Sequence, residues 1–272
     1  MDITLDAVSS TLLIPLAARA QGGASFPWMA CQDRQAAATL SELNVDVSIY
    51  LRDHATVLNI LWRTQVLKQA GQDFFAHHPE SLGVCLGCGL SDHFQWFDQG
   101  RNHWMDVDLP AVMALRQPLI PMHSRRQTQG SSCLKESGWW QRLGLPSGPQ
   151  AKPVFLLCEG VLMYLTPDQV ANVLREFGEH APAGSRFLLD TMSHVAIGMA
   201  KYHPSVSRTG AEFRWGLRSM DELTAPHPRL RLLSSRSVSE CYGLTGQATE
   251  ALWRPWITTP MYGMVELGVD AQ

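Results

Sequence analysis

The chain has 272 residues, of which 45% are hydrophobic and 17% are charged, and its formal net charge is only −3. This composition supplies a sizeable core for one large α/β domain with a cap and excludes a largely disordered chain. The basic residues form no clustered face, which argues against nucleic-acid binding, and no apolar stretch reaches the roughly 18 residues that a bilayer span requires.

The first 20 residues contain a short apolar run without the pattern of a secretory leader. The run Leu12–Leu16 follows Asp2 and Asp6 and no basic residue, whereas a signal peptide begins with a positive region. We therefore expect a cytoplasmic protein with reduced cysteines. Cys85 and Cys88 form a C-x-x-C pair, but no second pair or matched histidine pair follows, so we predict no metal site.

The first third of the chain has helical periodicity. Apolar residues recur at helical intervals from Asp33 to Leu43 and again from Val57 to Phe75, and Pro79 ends the second pattern. We expect these helices to form an N-terminal cap over residues 1–80.

Beyond residue 80, strands and helices alternate, which predicts a mostly parallel sheet covered on both faces. Helices are predicted at Leu109–Leu119 and from the N-cap Thr166 to about His180. The predicted strands are Leu82–Leu86, His103–Val107, a weak one between Thr128 and Leu134, Val154–Cys158, Arg186–Leu189, and a closing antiparallel pair at Leu230–Val238 and Met261–Leu267.

Candidate ligand-binding residues directly follow these strands, because ligands bind at the carboxyl ends of parallel strands. They are Gly87, Gly89, Asp108, Glu159 and Asp190. The two glycines allow a tight turn and a close approach of the backbone to a ligand. A dinucleotide fingerprint requires a small residue at position 92, where this chain has aspartate, and this argues against a dehydrogenase.

Three side chains have two interpretations each when the residues alone are considered. Asp108 can accept hydrogen bonds from ribose hydroxyls or cap the helix that begins near Pro110. Glu159, placed between a buried strand and Gly160, is a ligand contact or a loop carboxylate. Arg63 either extends from an apolar helix into solvent or binds a carboxylate through its planar fork.

Three motifs, in this order, resemble the leucine carboxyl methyltransferase and polyketide O-methyltransferase family, which depends on S-adenosylmethionine. The motifs are LGCGL at 86–90, DVDLPAV at 106–112 with Arg116, and EGVLMYL at 159–165, and the resemblance extends from Thr11 to Leu217. It is closer to the bacterial small-molecule branch than to the eukaryotic protein-modifying branch.

The resemblance implies the α/β, Rossmann-like class I methyltransferase fold. Its mostly parallel, seven-stranded sheet has helices on both faces and an N-terminal helical cap. The methyltransferase domain would then cover residues 81–272, with a cap insertion at about 191–226.

The resemblance also implies roles for individual residues. Arg63 would bind the methionine carboxylate, Asp108 the ribose, and Glu159 would lie beside the methionine portion. The predicted catalytic residues are Tyr164, near the transferred methyl, and Glu159. The predicted cofactor-binding residues are Arg63, Gly87, Cys88, Gly89, Asp108, Leu109, Cys133, Leu134, Glu159 and Gly160. The predicted acceptor-binding residues are Tyr164, Asp190, His194 and Trp215.

Two segments depart from the family pattern. After Gly89 and Leu90 the family usually has Asp-Thr-Arg, and this chain has Ser-Asp-His at 91–93. Near the third strand, protein carboxyl methyltransferases tend to have Asp-Leu, and this chain has Cys133 and Leu134. The second departure leaves the contact with adenine open.

The predicted function is O-methylation of a carboxylate or hydroxyl of a small natural product, with S-adenosylhomocysteine as the second product. The alternatives are carboxyl methylation of a protein C-terminus and a cofactor-binding homologue without catalysis. An ionised carboxylate needs no base, whereas a hydroxyl benefits from one, for which His194 and His203 are candidates. We expect an enclosed site under the N-terminal helices, with Trp28, Tyr202, Phe213 and Trp215 as candidate wall residues.

Overall fold

The computed structural model describes residues 9–122 and 124–271. Its strands form one seven-stranded sheet in the order β3-β2-β1-β4-β5-β7-β6. The strands are β1 Leu82–Leu86, β2 His103–Asp108, β3 Gln127–Ser131, β4 Val154–Cys158, β5 Arg186–Met192, β6 Leu230–Ser237 and β7 Tyr262–Val269. Strands β1 to β5 pair in parallel, and β7 is antiparallel to both β5 and β6.

Helices cover both faces of this sheet. In the described residues they are α1 Leu13–Gln21, α2 Arg34–Leu43, α3 Ser48–Leu51, α4 His54–His77, α5 Phe94–Phe97, α6 Pro110–Leu119, α7 Trp139–Arg142, α8 Pro167–His180 and α9 Gly243–Trp253. The predicted class I methyltransferase fold is confirmed by this sheet and its covering helices.

The complete burial of the central strands explains why the sequence predicts them well. Every residue of β4 is buried, as expected of a parallel strand with helices on both faces. Alternate residues then serve two core clusters: Leu156 packs on the side of α8, with Phe177, and Phe155 packs on the side of α4, with Phe74. The capping box predicted at Thr166 is present, with Gln169 as its partner.

The largest differences from the sequence prediction concern β5 and α9. Strand β5 continues to Met192, so Asp190 lies inside the strand and pairs with Met264 of β7 rather than following the strand end. Helix α9 was not predicted, because a helical pattern depends on a buried apolar stripe and the buried residue of α9 is Glu250.

The helices before β1 fold back over the carboxyl ends of the strands. Ile14 and Ala18 of α1 pack in a cluster with Leu61 of α4 and Tyr164, which follows β4. The C-terminal half of α4 packs on the sheet itself, so the helices before residue 80 share a core with the rest of the chain. The predicted division at residue 80 stays a prediction, and its residues 1–8 lie outside the described part of the chain.

No helix within residues 9–122 and 124–271 combines the length and the apolar character that a membrane span needs.

Candidate active site

A cavity of about 620 Å³ runs along the carboxyl edge of the sheet, from the loop after β3, past β2, β1 and β4, to β5. This volume is within the range of small-molecule sites. All ten residues predicted to bind the cofactor line it: Arg63, Gly87, Cys88, Gly89, Asp108, Leu109, Cys133, Leu134, Glu159 and Gly160.

The cavity has two sides, set by the order of the strands. We call the part formed by Arg63 and the residues that follow β1 to β4, up to Gly160, the glycine side. The insertion side is formed by Met163 and Tyr164, the segment from Met192 at the end of β5 to Phe213, Met261 and the first turns of α4.

The turn after β1 requires glycine at two positions. Gly87 and Gly89 have φ values of +76° and +52°, in the left-handed region that favours glycine. A Cβ atom on Gly87 would lie 2.2 Å from Cγ2 of Val161, and one on Gly89 would lie 2.6 Å from Cδ2 of Leu12. The backbone angle favours glycine at both positions, and at Gly87 the contact with Val161 also restricts a larger side chain.

The carboxylate of Asp108 is bound to the glycine turn. Its Oδ2 accepts a hydrogen bond from the Gly89 amide and its Oδ1 one from the Leu109 amide, both at 2.7 Å. The N-cap of α6 is Leu109, which caps through no side chain, so the interpretation of Asp108 as the helix N-cap is wrong. The carboxylate lines the cavity, at the strand end where ribose recognition is expected.

Asp106, two residues earlier, has a different environment. It is fully buried and bonds to Arg116, whose Nη2 lies 2.9 Å from its Oδ2. Arg116 also donates to the carbonyl oxygens of Gly89 and Ser91. This buried pair supports the turn from below, whereas Asp108 faces the cavity.

Arg63 and Glu159 form a buried ion pair in the middle of the cavity. Arg63 Nε lies 2.5 Å from Glu159 Oε1, although the two atoms are not aligned as a hydrogen bond. Glu159 Oε2 lies 3.1 Å from His93 Nε2. Burial alone would raise the pKa of Glu159, but the Arg63 charge and the His93 hydrogen bond together hold it far below its ordinary value. Glu159 is therefore ionised at neutral pH.

A second arm of the network ties Arg63 to β5 and β7. Arg63 Nη1 donates to the Tyr262 hydroxyl at 2.7 Å, and that hydroxyl donates to Asp190 Oδ2 at 2.6 Å. Asp190 Oδ1 accepts from the Gly160 amide at 2.9 Å. The sequence prediction missed Tyr262, because its strand is antiparallel and is not followed by a turn at this edge.

Arg63 Nη2 and the neighbouring Glu159 carboxylate fit the amino-acid end of S-adenosylmethionine. Within the described chain, no residue accepts a hydrogen bond from Arg63 Nη2, although Arg63 lines the cavity. Glu159, ionised beside it, can accept from an ammonium group. A cationic fork next to a carboxylate complements an α-carboxylate and α-ammonium pair.

Residues 91–93, which depart from the family pattern, form hydrogen bonds with other side chains of the chain. The Ser91 hydroxyl accepts a hydrogen bond from Arg19, which pairs with Asp33 at 3.0 Å. His93, where the family has arginine, is buried and reaches Glu159. The departure at 91–93 therefore leaves Glu159 with a hydrogen-bonding partner.

Of the four residues predicted to bind the acceptor, Tyr164 alone lines the cavity. Asp190 lies inside β5, where Gly160 and Tyr262 take its oxygens. His194 turns toward the carbonyl oxygen of Leu217, and Trp215 packs into the core on the α8 side of the sheet. These three side chains do not line the cavity, and their contact with the acceptor stays a prediction.

The insertion side of the cavity is mainly apolar. Tyr202 and Phe213 line it as expected, whereas Trp28 is 71% exposed and lies away from the cavity. Burial raises the pKa of Tyr164 to about 12, and its ring packs on Phe213 with 5.9 Å between centroids. Sequence reasoning missed the flexible lining side chains Met163, Met192, Met199 and Met261.

Comparison with known proteins identifies relatives that are methyltransferases. The sequence profile of the leucine carboxyl methyltransferase family matches residues 16–178. The chain is 29% identical over 230 residues to the tetracenomycin polyketide synthesis O-methyltransferase TcmP of Streptomyces glaucescens, covering 84% of this chain and 82% of that protein. It is 24% identical over 263 residues to the S-adenosyl-L-methionine-dependent methyltransferase dpfgK of Gibberella zeae, covering 90% and 87%.

Solved structures share the fold at low identity. A DUF574 family protein from Streptomyces avermitilis aligns with a TM-score of 0.53 and 14% identity, covering 87% of this chain and 89% of that one. A candidate methyltransferase from Thermobifida fusca aligns with a TM-score of 0.52 and 16% identity, covering 95% and 94%.

Proposed function

The chain belongs to the leucine carboxyl methyltransferase family and is an S-adenosylmethionine-dependent methyltransferase; we propose that it methylates an oxygen of a small, polyketide-like acceptor. The observation that carries this proposal is one cavity that joins a polar glycine side to an apolar insertion side. A reaction of this class belongs to secondary metabolism, and the cytoplasmic location stays a prediction from the sequence.

In this proposal the glycine side binds the cofactor. Arg63 and Glu159 hold the carboxylate and the ammonium of its methionine portion, and Asp108 accepts from the ribose hydroxyls. The backbone at 87–89 passes beneath it, and Leu109 with Cys133 and Leu134 flanks the adenine. When bound, the cofactor supplies an electrophilic methyl group on a positively charged sulfur.

The insertion side then binds and aligns the acceptor. Its apolar wall excludes water, and holding an oxygen in line with the methyl carbon supplies several kcal/mol of the barrier. Tyr164 stays a protonated phenol near neutral pH, because burial raises its pKa to about 12. It can therefore donate a hydrogen bond to the acceptor and orient it.

Methylation of a protein C-terminus is less well supported by the lining. Tyr202, His203 and Phe213 of the insertion and Ile60 of α4 surround the acceptor volume. A main-chain tail would need a groove with backbone partners, whereas an apolar wall suits a compact molecule.

Transfer of a labelled methyl group tests the proposal. The protein is incubated with methyl-labelled S-adenosylmethionine and either aromatic carboxylates and phenols or a peptide that ends in leucine. We expect label in the small aromatic compounds. Label in the peptide alone would overturn the small-molecule assignment. Tight cofactor binding without transfer to either class would favour a cofactor-binding homologue.

A further inference from the structure

The hydroxyl of Tyr262 lies between the arginine of the cavity and a second buried carboxylate. It accepts a hydrogen bond from Arg63 Nη1 at 2.7 Å and donates one to Asp190 Oδ2 at 2.6 Å. Arg63 Nη1 and Asp190 Oδ2 are themselves 3.8 Å apart, which is too far for a hydrogen bond but within the range of an ion pair. The hydroxyl therefore takes the place of a direct bond between the two charged groups.

Two carboxylates compete for the guanidinium of Arg63. Glu159 Oε1 lies 2.5 Å from Nε, and the fully buried side chain of Asp190 lies on the other side of the Tyr262 hydroxyl. Burial raises the pKa of Asp190, although the Arg63 charge and the donors Tyr262 and Gly160 oppose the rise. A buried carboxylate that lost the Tyr262 hydroxyl would gain most from a direct bond to Arg63.

The remaining nitrogen of Arg63 lies beside the ligand volume. A Cβ atom on Gly160, which lines the cavity, would lie 3.9 Å from Arg63 Nη2. The guanidinium is planar and rigid, so a rotation that brings Nη1 to Asp190 also displaces Nη2. The position of the nitrogen proposed to bind the cofactor therefore depends on what holds Nη1.

The protonation state and the anchorage of Tyr262 suit it to hold Nη1. Burial raises the pKa of Tyr262 well above its ordinary value, so the hydroxyl keeps its proton at neutral pH and donates to Asp190 while it accepts from Arg63. Tyr262 is the first residue of β7 and pairs with Met192, the last residue of β5. Sheet pairing thus fixes its backbone at the edge where Arg63 enters the cavity.

We propose that Tyr262 is a positioning residue for the cofactor: its hydroxyl keeps Arg63 Nη1 from Asp190 and so presents Nη2 to the carboxylate of the methionine portion. The inference rests on the proposed binding of that carboxylate by Arg63 and deepens it. Tyr262 acts through Arg63 and needs no contact of its own with the cofactor. Removing the hydroxyl should therefore weaken ligands that carry the α-carboxylate and spare ligands that lack it.

Calorimetry with two ligands tests this selectivity. The ligands are S-adenosylhomocysteine and its decarboxylated analogue S-adenosyl-1-thio-3-propylamine, which keeps the adenosine and the ammonium. Wild type should bind S-adenosylhomocysteine at least about tenfold more tightly, because only this ligand accepts a hydrogen bond from the charged fork. In Tyr262→Phe we expect the ratio of the two affinities to fall to about threefold or less, because Arg63 turns to Asp190. An unchanged ratio would overturn the proposal.

A second background separates positioning from a merely structural role. In Asp190→Asn the competing charge is absent, so adding Tyr262→Phe should change the ratio by less than about twofold. The same loss in both backgrounds would mean that Asp190 does not compete for Arg63, and would overturn the inference. Tyr242→Phe is the matched control: its exposed hydroxyl also bonds to a side chain, that of Asn59, but lies outside the cavity lining, and it should bind both ligands as wild type does.

A crystal structure of the wild type with S-adenosylhomocysteine tests the geometry without any variant. We expect the Tyr262 hydroxyl to stay within hydrogen-bond distance of Arg63 Nη1 while Nη2 binds the ligand carboxylate. A direct bond between Arg63 and Asp190, or equal binding of the two ligands by wild type, would overturn the inference while methyl transfer still supports the proposed function. Failure of the wild type to bind either ligand or to transfer a methyl group would refute both.

Discussion

The glycine side of the cavity is assembled mainly from turns that directly follow parallel strands, whereas the insertion side is assembled mainly from the segment between β5 and β6, with Tyr164 and the first turns of α4. On the glycine side Arg63 pairs with Glu159, and the buried pair of Asp106 and Arg116 supports its turn from below. On the insertion side, the wall is mainly apolar, and no carboxylate of the described residues lines it. The contrast suggests that the first side fixes one cofactor and the second side selects the acceptor.

Arg63→Ala is the change that should most damage the glycine side. It removes the cation between two buried carboxylates and the fork proposed for the cofactor, so we expect cofactor affinity to fall by about 2 to 5 kcal/mol. Arg63→Lys should restore only part, because lysine lacks the planar fork. Calorimetry with S-adenosylhomocysteine measures this, with exposed Arg101→Ala as the control. Unchanged cofactor affinity in a folded Arg63→Ala variant would show that the Arg63 charge does not make the glycine side a cofactor site.

The two aspartates of β2 should separate stability from binding. Asp106→Asn breaks a buried pair, and we expect a loss of about 3 to 5 kcal/mol in the free energy of unfolding. Asp108→Asn should cost less stability, about 1 to 2 kcal/mol, because its amide can accept from only one of the two backbone N–H groups that the carboxylate binds, and it should weaken the cofactor by about 1.5 to 3 kcal/mol, because a charged acceptor becomes neutral. Denaturant unfolding and calorimetry on both variants give the four values. The same loss of binding from both, with no difference in stability, would contradict the distinction.

The contrast between the two sides also explains which parts were predictable from the sequence. Strands β1 and β4 begin and end at the predicted residues, because continuous apolar runs bounded by turns carry their own limits. The residues that follow them fall on the cavity for the same reason. Asp190 was misplaced because pairing with β7 prolongs β5, which is a tertiary effect.

On the insertion side, the sequence has no helical or strand periodicity and no strand end that would indicate which side chains face the cavity. His194 and His203 are equivalent as sequence, and only backbone contacts distinguish them: His194 turns to Leu217, and His203 is held by two amides of its own turn. Tyr262 is 199 residues from Arg63 along the chain, and the pairing of β7 in the sheet brings its hydroxyl to Arg63.

Gly87→Ala tests whether the glycine turn is shaped by crowding or only by its backbone angle. Gly100 is the matched control: its φ of +85° resembles the +76° of Gly87, but a Cβ there would meet nothing within 4 Å. We expect Gly100→Ala to cost about 1 kcal/mol of stability through its backbone alone. Gly87→Ala should cost about 1 to 3 kcal/mol more, since Val161 must move, and it should weaken the cofactor as well. Equal unfolding energies for the two variants would show that the contact with Val161 relaxes freely.

Tyr164→Phe should have the smallest effect, and it should be confined to the insertion side. Phenylalanine keeps the packing on Phe213 but loses the hydrogen bond with Thr11, so we expect cofactor affinity to stay close to wild type and the melting temperature to fall slightly. Loss of one neutral hydrogen-bond donor typically costs about 0.5 to 1.5 kcal/mol, so kcat/KM for the acceptor should fall about 2- to 10-fold.

The pH dependence separates this role of Tyr164 from that of a base. With a pKa of about 12, Tyr164 keeps its proton well above neutral pH, so a donor role adds no ionisation to the profile of kcat/KM between about pH 6 and 9. Wild type and Tyr164→Phe should therefore give parallel profiles, separated by a constant factor. If the wild-type rate instead rises with pH across this range and the variant loses that rise, Tyr164 acts as a phenolate base. The insertion side would then carry the proton chemistry of the reaction.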